Sequence, residues 1–183
     1  MIVKGESTRL PYKNTLRFLG RPLFERNLLK LLEMEITVVV DSDSDEILSR
    51  SEEMGAVPRI RPSSLRGHEV PSVPIFASIL EEFSQYEALL NVQANSPCVA
   101  REVIQSCLHG LMDTNIDEVL TCYSDYALNG SVWGFSRNRV FNYGDFYSHS
   151  PDLLVVDDSI DVHTKEEFEL AEELARAKEK EQR

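Results

Sequence analysis

An α/β fold is predicted, a mostly parallel sheet with helices on both faces, and three observations carry that expectation. Continuous β-branched and aliphatic runs such as Ile36–Val40 and Ala88–Val92 have the character of strands buried on both sides. Segments with apolar residues at helical spacing alternate with these runs from the N-terminus to about residue 123. Polar loops follow the predicted strands where a parallel sheet gathers its ligands.

The elements follow in order. Met1–Lys4 reads as the end of a short strand, and Gly5 to Asn14 as a polar loop. Pro22 stands where a helix begins, and Leu23, Phe24, Asn27, Leu28, Leu31 and Leu32 give it helical spacing to about Glu33. The strand Ile36–Val40 is expected to stop at Asp41-Ser42-Asp43, and a helix to run on to Met54 with Gly55 closing it. Val57–Ile60 suggests a short strand, and 61–71 an irregular connection with two prolines. Ser72 is read as the cap of a helix containing Ile75, Ile79, Leu80 and Phe83.

Ala88–Val92 is the next strand, followed by the loop Gln93–Pro97 and a helix with Val103, Ile104, Cys107, Leu108 and Leu111. Val119–Tyr123 is a fourth strand. Beyond Asp125, Val132–Phe135, Val140-Phe141 and Leu153–Val156 read as short, partly antiparallel strands. From Thr164 an amphipathic helix is expected to pack through Phe168, Leu170, Ala171 and Leu174, and to fray near Arg183.

Bulk properties narrow the function. The 183 residues suit a single domain, 1–183. A net charge of −12 argues against nucleic acid or an anionic membrane as partner. No apolar run approaches the roughly 20 residues of a membrane span, and a basic-then-apolar leader pattern is missing, so cytoplasmic residence is expected. Cys98, Cys107 and Cys122 lack metal-ligand spacing and read as reduced thiols. Residues 1–30 carry seven basic side chains against two acidic ones, a net +5 that leaves −17 for the rest. Such a basic segment on an acidic chain suggests a compact, highly charged anion as ligand.

Three polar loops at strand ends form the candidate site: Lys4–Asn14, Asp41–Ser44 and Gln93–Pro97. In the first, Gly5 allows close approach of backbone, Ser7 and Thr8 offer hydroxyls, and Lys4, Arg9 and Lys13 supply charge for a polyphosphate. The Gly-x-x-x-x-Gly-Lys spacing of a P-loop is missing. The acidic cluster Asp157, Asp158 and Asp161 supplies candidate ligands for a hard cation.

The segment from Lys4 to Leu23, ending in Gly20-Arg21-Pro22-Leu23, resembles the opening signature of the acylneuraminate cytidylyltransferases, the CMP-sialic acid synthetases. The likeness continues through Val40-Asp41-Ser42-Asp43, Arg61-Pro62-x-x-Leu65 and Gln93-Ala94-Asn95-Ser96-Pro97. It ends in Ile160-Asp161-Val162-His163-Thr164 with Glu167, Glu169, Leu170, Ala171 and Glu172. This resemblance implies a Rossmann-like nucleotidyltransferase fold and an enzyme joining CMP from CTP to an acidic α-keto sugar, with release of pyrophosphate. It implies Lys4, Gly5, Ser7, Arg9, Lys13, Asn14, Arg61, Ser72 and Gln93 as nucleotide-binding residues. Lys13 and Asp161 are the implied catalytic residues, and Asp161 and His163 occupy the positions of the Mg²⁺ ligands.

Several positions depart from the family's pattern. Lys4 stands for an arginine, Glu6 for a glycine, Thr8 for a lysine, Val99 for an arginine and His163 for an aspartate. The acceptor and dimerisation region, about 124–160, is shortened. A sialic-acid-like acceptor, a 3-deoxy-manno-octulosonate acceptor and a catalytically weakened nucleotide-binding module all remain open, with Asn14 favouring the first. CTP and an acidic sugar are the implied partners, and a homodimer is the assembly that the resemblance allows.

Overall fold

The computed structural model describes residues 1–146 and 149–181. In chain order its elements are β1 (Ile2–Val3), β2 (Arg17–Phe18), β3 (Arg21–Pro22), α1 (Leu23–Leu32), β4 (Val39–Ser42), α2 (Asp45–Glu53) and β5 (Val57–Ile60). There follow α3 (Ser72–Glu82), β6 (Ala88–Val92), α4 (Arg101–Leu111) and β7 (Glu118–Cys122). The series ends with β8 (Leu128–Ser136), α5 (Arg137–Phe141), β9 (Leu153–Val156) and α6 (Lys165–Glu181). This is a mixed α/β fold with parallel strands and interleaved helices, and it resolves into two compact units.

The first unit comprises Met1–Ile60, Val92–Ala100 and the chain from Asp158 onward. Its parallel sheet has the order β1-β4-β5, and β2 and β3 form a separate hairpin. The strand expected over Ile36–Val40 starts later, at Val39, and continues through Asp41 and Ser42. The reason is electrostatic. Asp41 is fully buried yet lies opposite Arg59 in the parallel register of β4 and β5, and the buried guanidinium donates to its carboxylate.

Helix α1 begins after Pro22 as expected, and α2 ends at Glu53, with Met54 as its C-cap and Gly55 at φ +101. The core of this unit gathers Phe18, Leu23, Val162 and Ala171, with Phe168 and Ala175 packed against it. The stripe of α6 is therefore Phe168, Ala171 and Ala175. Leu170 and Leu174, which were expected to share it, are 49% and 48% exposed, because the core meets the helix one step round. The expected fraying near Arg183 lies outside the described residues.

The second unit comprises Arg61–Asn91 and Arg101–Asp157. Its sheet has the order β6-β8-β7-β9, with β8 antiparallel and β9 parallel to β7. Gly134 lets the sheet pack closely, since a Cβ there would meet the Leu111 side chain at 2.6 Å. Ser72 is the first helical residue of α3 and makes no cap bond; Pro71 takes the cap position. Val140-Phe141 is helical within α5, not a strand, because Ser136 caps it by accepting from the Arg139 amide at 3.0 Å. Phe76, Trp133, Phe135 and Tyr143 form the aromatic core, and Glu118, fully buried, accepts from Trp133, Tyr143 and Arg139. No described helix is long and apolar enough to cross a membrane.

Candidate functional site

Within the first unit the loop after β1 folds back on two others. Gly5 donates its amide to the Asp43 carboxylate at 2.7 Å, joining the loops that follow β1 and β4. A Cβ at Gly5 would lie 2.8 Å from that of Ser44, so close approach is the reason for glycine here. Asn14, buried, donates to the Lys4 carbonyl at 2.7 Å and closes the loop on itself. Its Oδ1 is buried with no hydrogen-bond partner, an acceptor left open within the candidate site. Ser7 is half-buried and Glu6 and Arg9 are exposed.

Lys13 is only 8% exposed and donates through Nζ to the Val162 carbonyl at 2.7 Å. Burial pushes its pKa below the usual lysine value; Asp161 and Glu167 pull it back up, and Arg9 adds to the lowering. A second chain of bonds surrounds Asp161. One carboxylate oxygen accepts from Asn95 and from Ser96 Oγ, the latter at 3.2 Å, and the other meets His163 Nε2 at 2.6 Å. Arg9 Nη2 lies 2.5 Å from His163 Nδ1, so the ring accepts at Nδ1 and donates at Nε2. The imidazole thus links the first loop to the aspartate.

The loop Gln93–Pro97 is held from α1. Asn27 donates to the carbonyls of Gln93 and Ser96 at 2.8 and 2.9 Å, and Lys30 to those of Pro97 and Val99 at 2.8 Å each. Glu167 fixes the other side by accepting the amides of His163 and Thr164 at 2.7 and 2.8 Å, which lowers its pKa. Thr164 reciprocates by accepting the Glu167 amide at 3.2 Å.

Lys4, Gly5, Ser7, Arg9, Lys13, Asn14, Gln93, Asp161 and His163 therefore share the first unit. Arg61 and Ser72 belong to the second, where Arg61 is fully buried and its carbonyl accepts from Arg66 Nε at 2.9 Å. Asp157 is also in the second unit, bonded to Ser131 Oγ at 2.5 Å. Sequence reasoning missed Asn27, Lys30, Asn95 and Ser96 as supports. It also missed the pairing of Thr164 with Glu167, whose Thr-x-x-Glu spacing before an apolar stripe was a readable signal.

Among the described residues no group of three or more His, Cys, Asp or Glu side chains is placed to hold a metal ion. Magnesium needs less, since one or two carboxylates with water and phosphate oxygens commonly hold it. Asp161 accepts three hydrogen bonds of the roughly four its oxygens can take, so one lone pair remains and a single-carboxylate anchor fits. Both nitrogens of His163 are engaged, and the ring orients Asp161 in this arrangement.

Comparison with known proteins agrees with this architecture. A pseudaminic acid cytidylyltransferase of Campylobacter jejuni subsp. jejuni is 22% identical over 160 residues, 82% of this chain and 69% of the relative. Among solved structures, a CMP:2-keto-3-deoxy-manno-octonic acid synthetase complexed with CTP superposes with a TM-score of 0.78 at 13% identity, covering 97% of each chain. A 4-diphosphocytidyl-2C-methyl-D-erythritol synthase from Anaerococcus prevotii gives 0.70 at 16% identity, over 96% of each chain. At such identities the likeness shows a shared fold. The cytidylyltransferase family model matches residues 4–179, so the chain belongs to the cytidylyltransferase family and is a nucleotidyltransferase of that type.

Proposed function

We propose that this enzyme joins CMP from CTP to an acidic α-keto sugar of the nonulosonate kind. One observation carries the reading: a basic loop, an oriented carboxylate and a buried lysine converge in one unit, where a nucleoside triphosphate and its cation would need them. The kinship with a pseudaminic acid cytidylyltransferase supports an acidic sugar as acceptor.

Within the first unit Lys4, Ser7, Arg9, Lys13 and Asn14 would bind the triphosphate and ribose, with Gln93 on the base and ribose. Mg²⁺ bound at Asp161 would supply neutralisation of phosphate charge. The anomeric hydroxyl of the sugar attacks the α-phosphorus and gives up its proton to solvent as the new oxygen–phosphorus bond forms, and the bond to the β-phosphate breaks to release pyrophosphate. The protein's part is positioning and electrostatic stabilisation. His163 holds the Asp161 carboxylate in orientation, and Arg9 holds His163. Asn27 and Lys30 keep the Gln93–Pro97 loop in place.

The test is pyrophosphate release from CTP with N-acetylneuraminate, pseudaminate or 3-deoxy-manno-octulosonate offered in turn. Release with a nine-carbon acid is expected. Release with the octulosonate alone would move the acceptor to that class, and no release with any acid would leave a nucleotide-binding module. CTP should raise the melting temperature more than ATP or GTP, and equal shifts would overturn the cytidine preference.

A further inference from the structure

The basic character of the first thirty residues is only partly absorbed by the nucleotide reading. Arg9 reaches His163, Lys13 the Val162 carbonyl, Lys30 the Gln93–Pro97 loop and Arg26 the carboxylate of Glu179. Arg17 and Arg21 point elsewhere. They line a cavity of about 560 Å³ in the first unit, walled by the β2–β3 hairpin, the start of α1, and Glu46 and Arg50 of α2. That volume lies in the range of small-molecule sites, roughly 300–1,000 Å³.

Glu25 gives this cavity its chemistry. The side chain is fully buried, and Oε1 accepts from Arg50 Nε at 2.7 Å. Oε2 has no hydrogen-bond partner; Arg21 Nη1 is 3.9 Å away, beyond bonding distance. A buried carboxylate oxygen without a donor is costly, so a hydroxyl presented from the cavity would be well received. Arg17 spends one N–H on the Gly20 carbonyl at 3.0 Å, which leaves the guanidinium with further donors. Helix α1 starts here without a side-chain cap, its amide end adding positive potential.

We propose that this cavity is a second binding site, separate from the nucleotide loop, for a small polyol bearing one carboxylate or phosphate. The anionic group meets Arg17 and Arg21, and a hydroxyl donates to Glu25 Oε2. Thr15, the last residue of the short turn that begins at Lys13, lines the same cavity. The proposal does not depend on what the nucleotide is.

Calorimetry of the full chain tests it with glucose 6-phosphate and gluconate as probes, and glucose and inorganic phosphate as controls. At least one anionic sugar should bind, and whichever does identifies the anion as phosphate or carboxylate. Arg17→Ala with Arg21→Ala should weaken that binding roughly tenfold or more, a loss of about 1.4 kcal/mol or greater. Lys13→Ala should leave it unchanged. Should the double variant fail to fold, Arg21→Gln alone carries the same direction of effect. Binding of neither probe would overturn the site, as would an affinity indifferent to the arginines or abolished by Lys13→Ala. Glucose binding as tightly as the anions would remove the role of the arginines, and inorganic phosphate matching glucose 6-phosphate would remove that of Glu25.

Discussion

Lys13 combines burial with charge, and its consequences are measurable. In the folded protein its pKa is lowered, chiefly by burial, so the unfolded chain holds this proton more tightly than the native one does. The resulting penalty is fully present below the folded pKa and fades as pH rises towards the ordinary lysine value. Wild type should therefore gain stability relative to Lys13→Met as pH increases from 7 towards 10, as measured by urea unfolding of both; a constant difference would contradict the burial. The same side chain is assigned to phosphate, so Lys13→Ala should weaken CTP binding severely in a calorimetric titration. At the position proposed for the metal, His163→Asp should lower the Mg²⁺ concentration giving half-maximal pyrophosphate release, since it adds an anionic oxygen beside Asp161. Asp161→Ala should nearly abolish that release, and a wild-type metal response in this variant would remove the role assigned to the carboxylate.

Among the elements, α6 and the loop after β6 are fixed by different devices. Helix α6 opens with a reciprocal pair in which Thr164 and Glu167 each satisfy the other's amide. Thr164→Ala should cost about 1 kcal/mol in urea unfolding. Because Glu167 titrates below its ordinary value, its contribution is present above about pH 4.5 and is lost as pH falls through the folded pKa. The loop after β6 hangs instead on Asn27 and Lys30, donors from a helix some 66 residues earlier. Asn27→Ala leaves two carbonyls without their donor and should cost about 1–3 kcal/mol. It should also reduce turnover, because Asn95 and Ser96, which hold Asp161, sit on that loop. Gly5→Ala meets the Ser44 Cβ at 2.8 Å, so overpacking of about 1–3 kcal/mol is expected from the same unfolding measurement.

Across the whole molecule the three thiols report on the two units separately. Cys98 is half-buried in the first, whereas Cys107 and Cys122 are fully buried in the second. Burial, with Asp157 adding to it, pushes the Cys107 thiol up to about 12, so almost no thiolate exists at neutral pH. A thiol reagent at pH 7.5 should label Cys98 first and Cys107 only once denaturant opens the second unit; prompt labelling of Cys107 would refute its burial. The elements themselves were legible from the residues, because helical spacing, Pro22, Gly55 and the β-branched runs are local signals that neighbours in the chain settle. Two local readings failed, one through a partner on the neighbouring strand and one through a cap just ahead in the chain. Arg59 carried β4 through Asp41, and the Ser136 cap turned Val140-Phe141 helical. The sequence by itself determined the α/β class and most of the order of its elements, and it pointed to the loops of the candidate site. Only the tertiary structure decided which groups meet: Lys13 finds a carbonyl 149 residues away and Arg9 a histidine 154 away. No periodicity records such pairings, since they follow from packing the core around Phe18, Val162 and Ala171 and from the need of each buried charge for a partner.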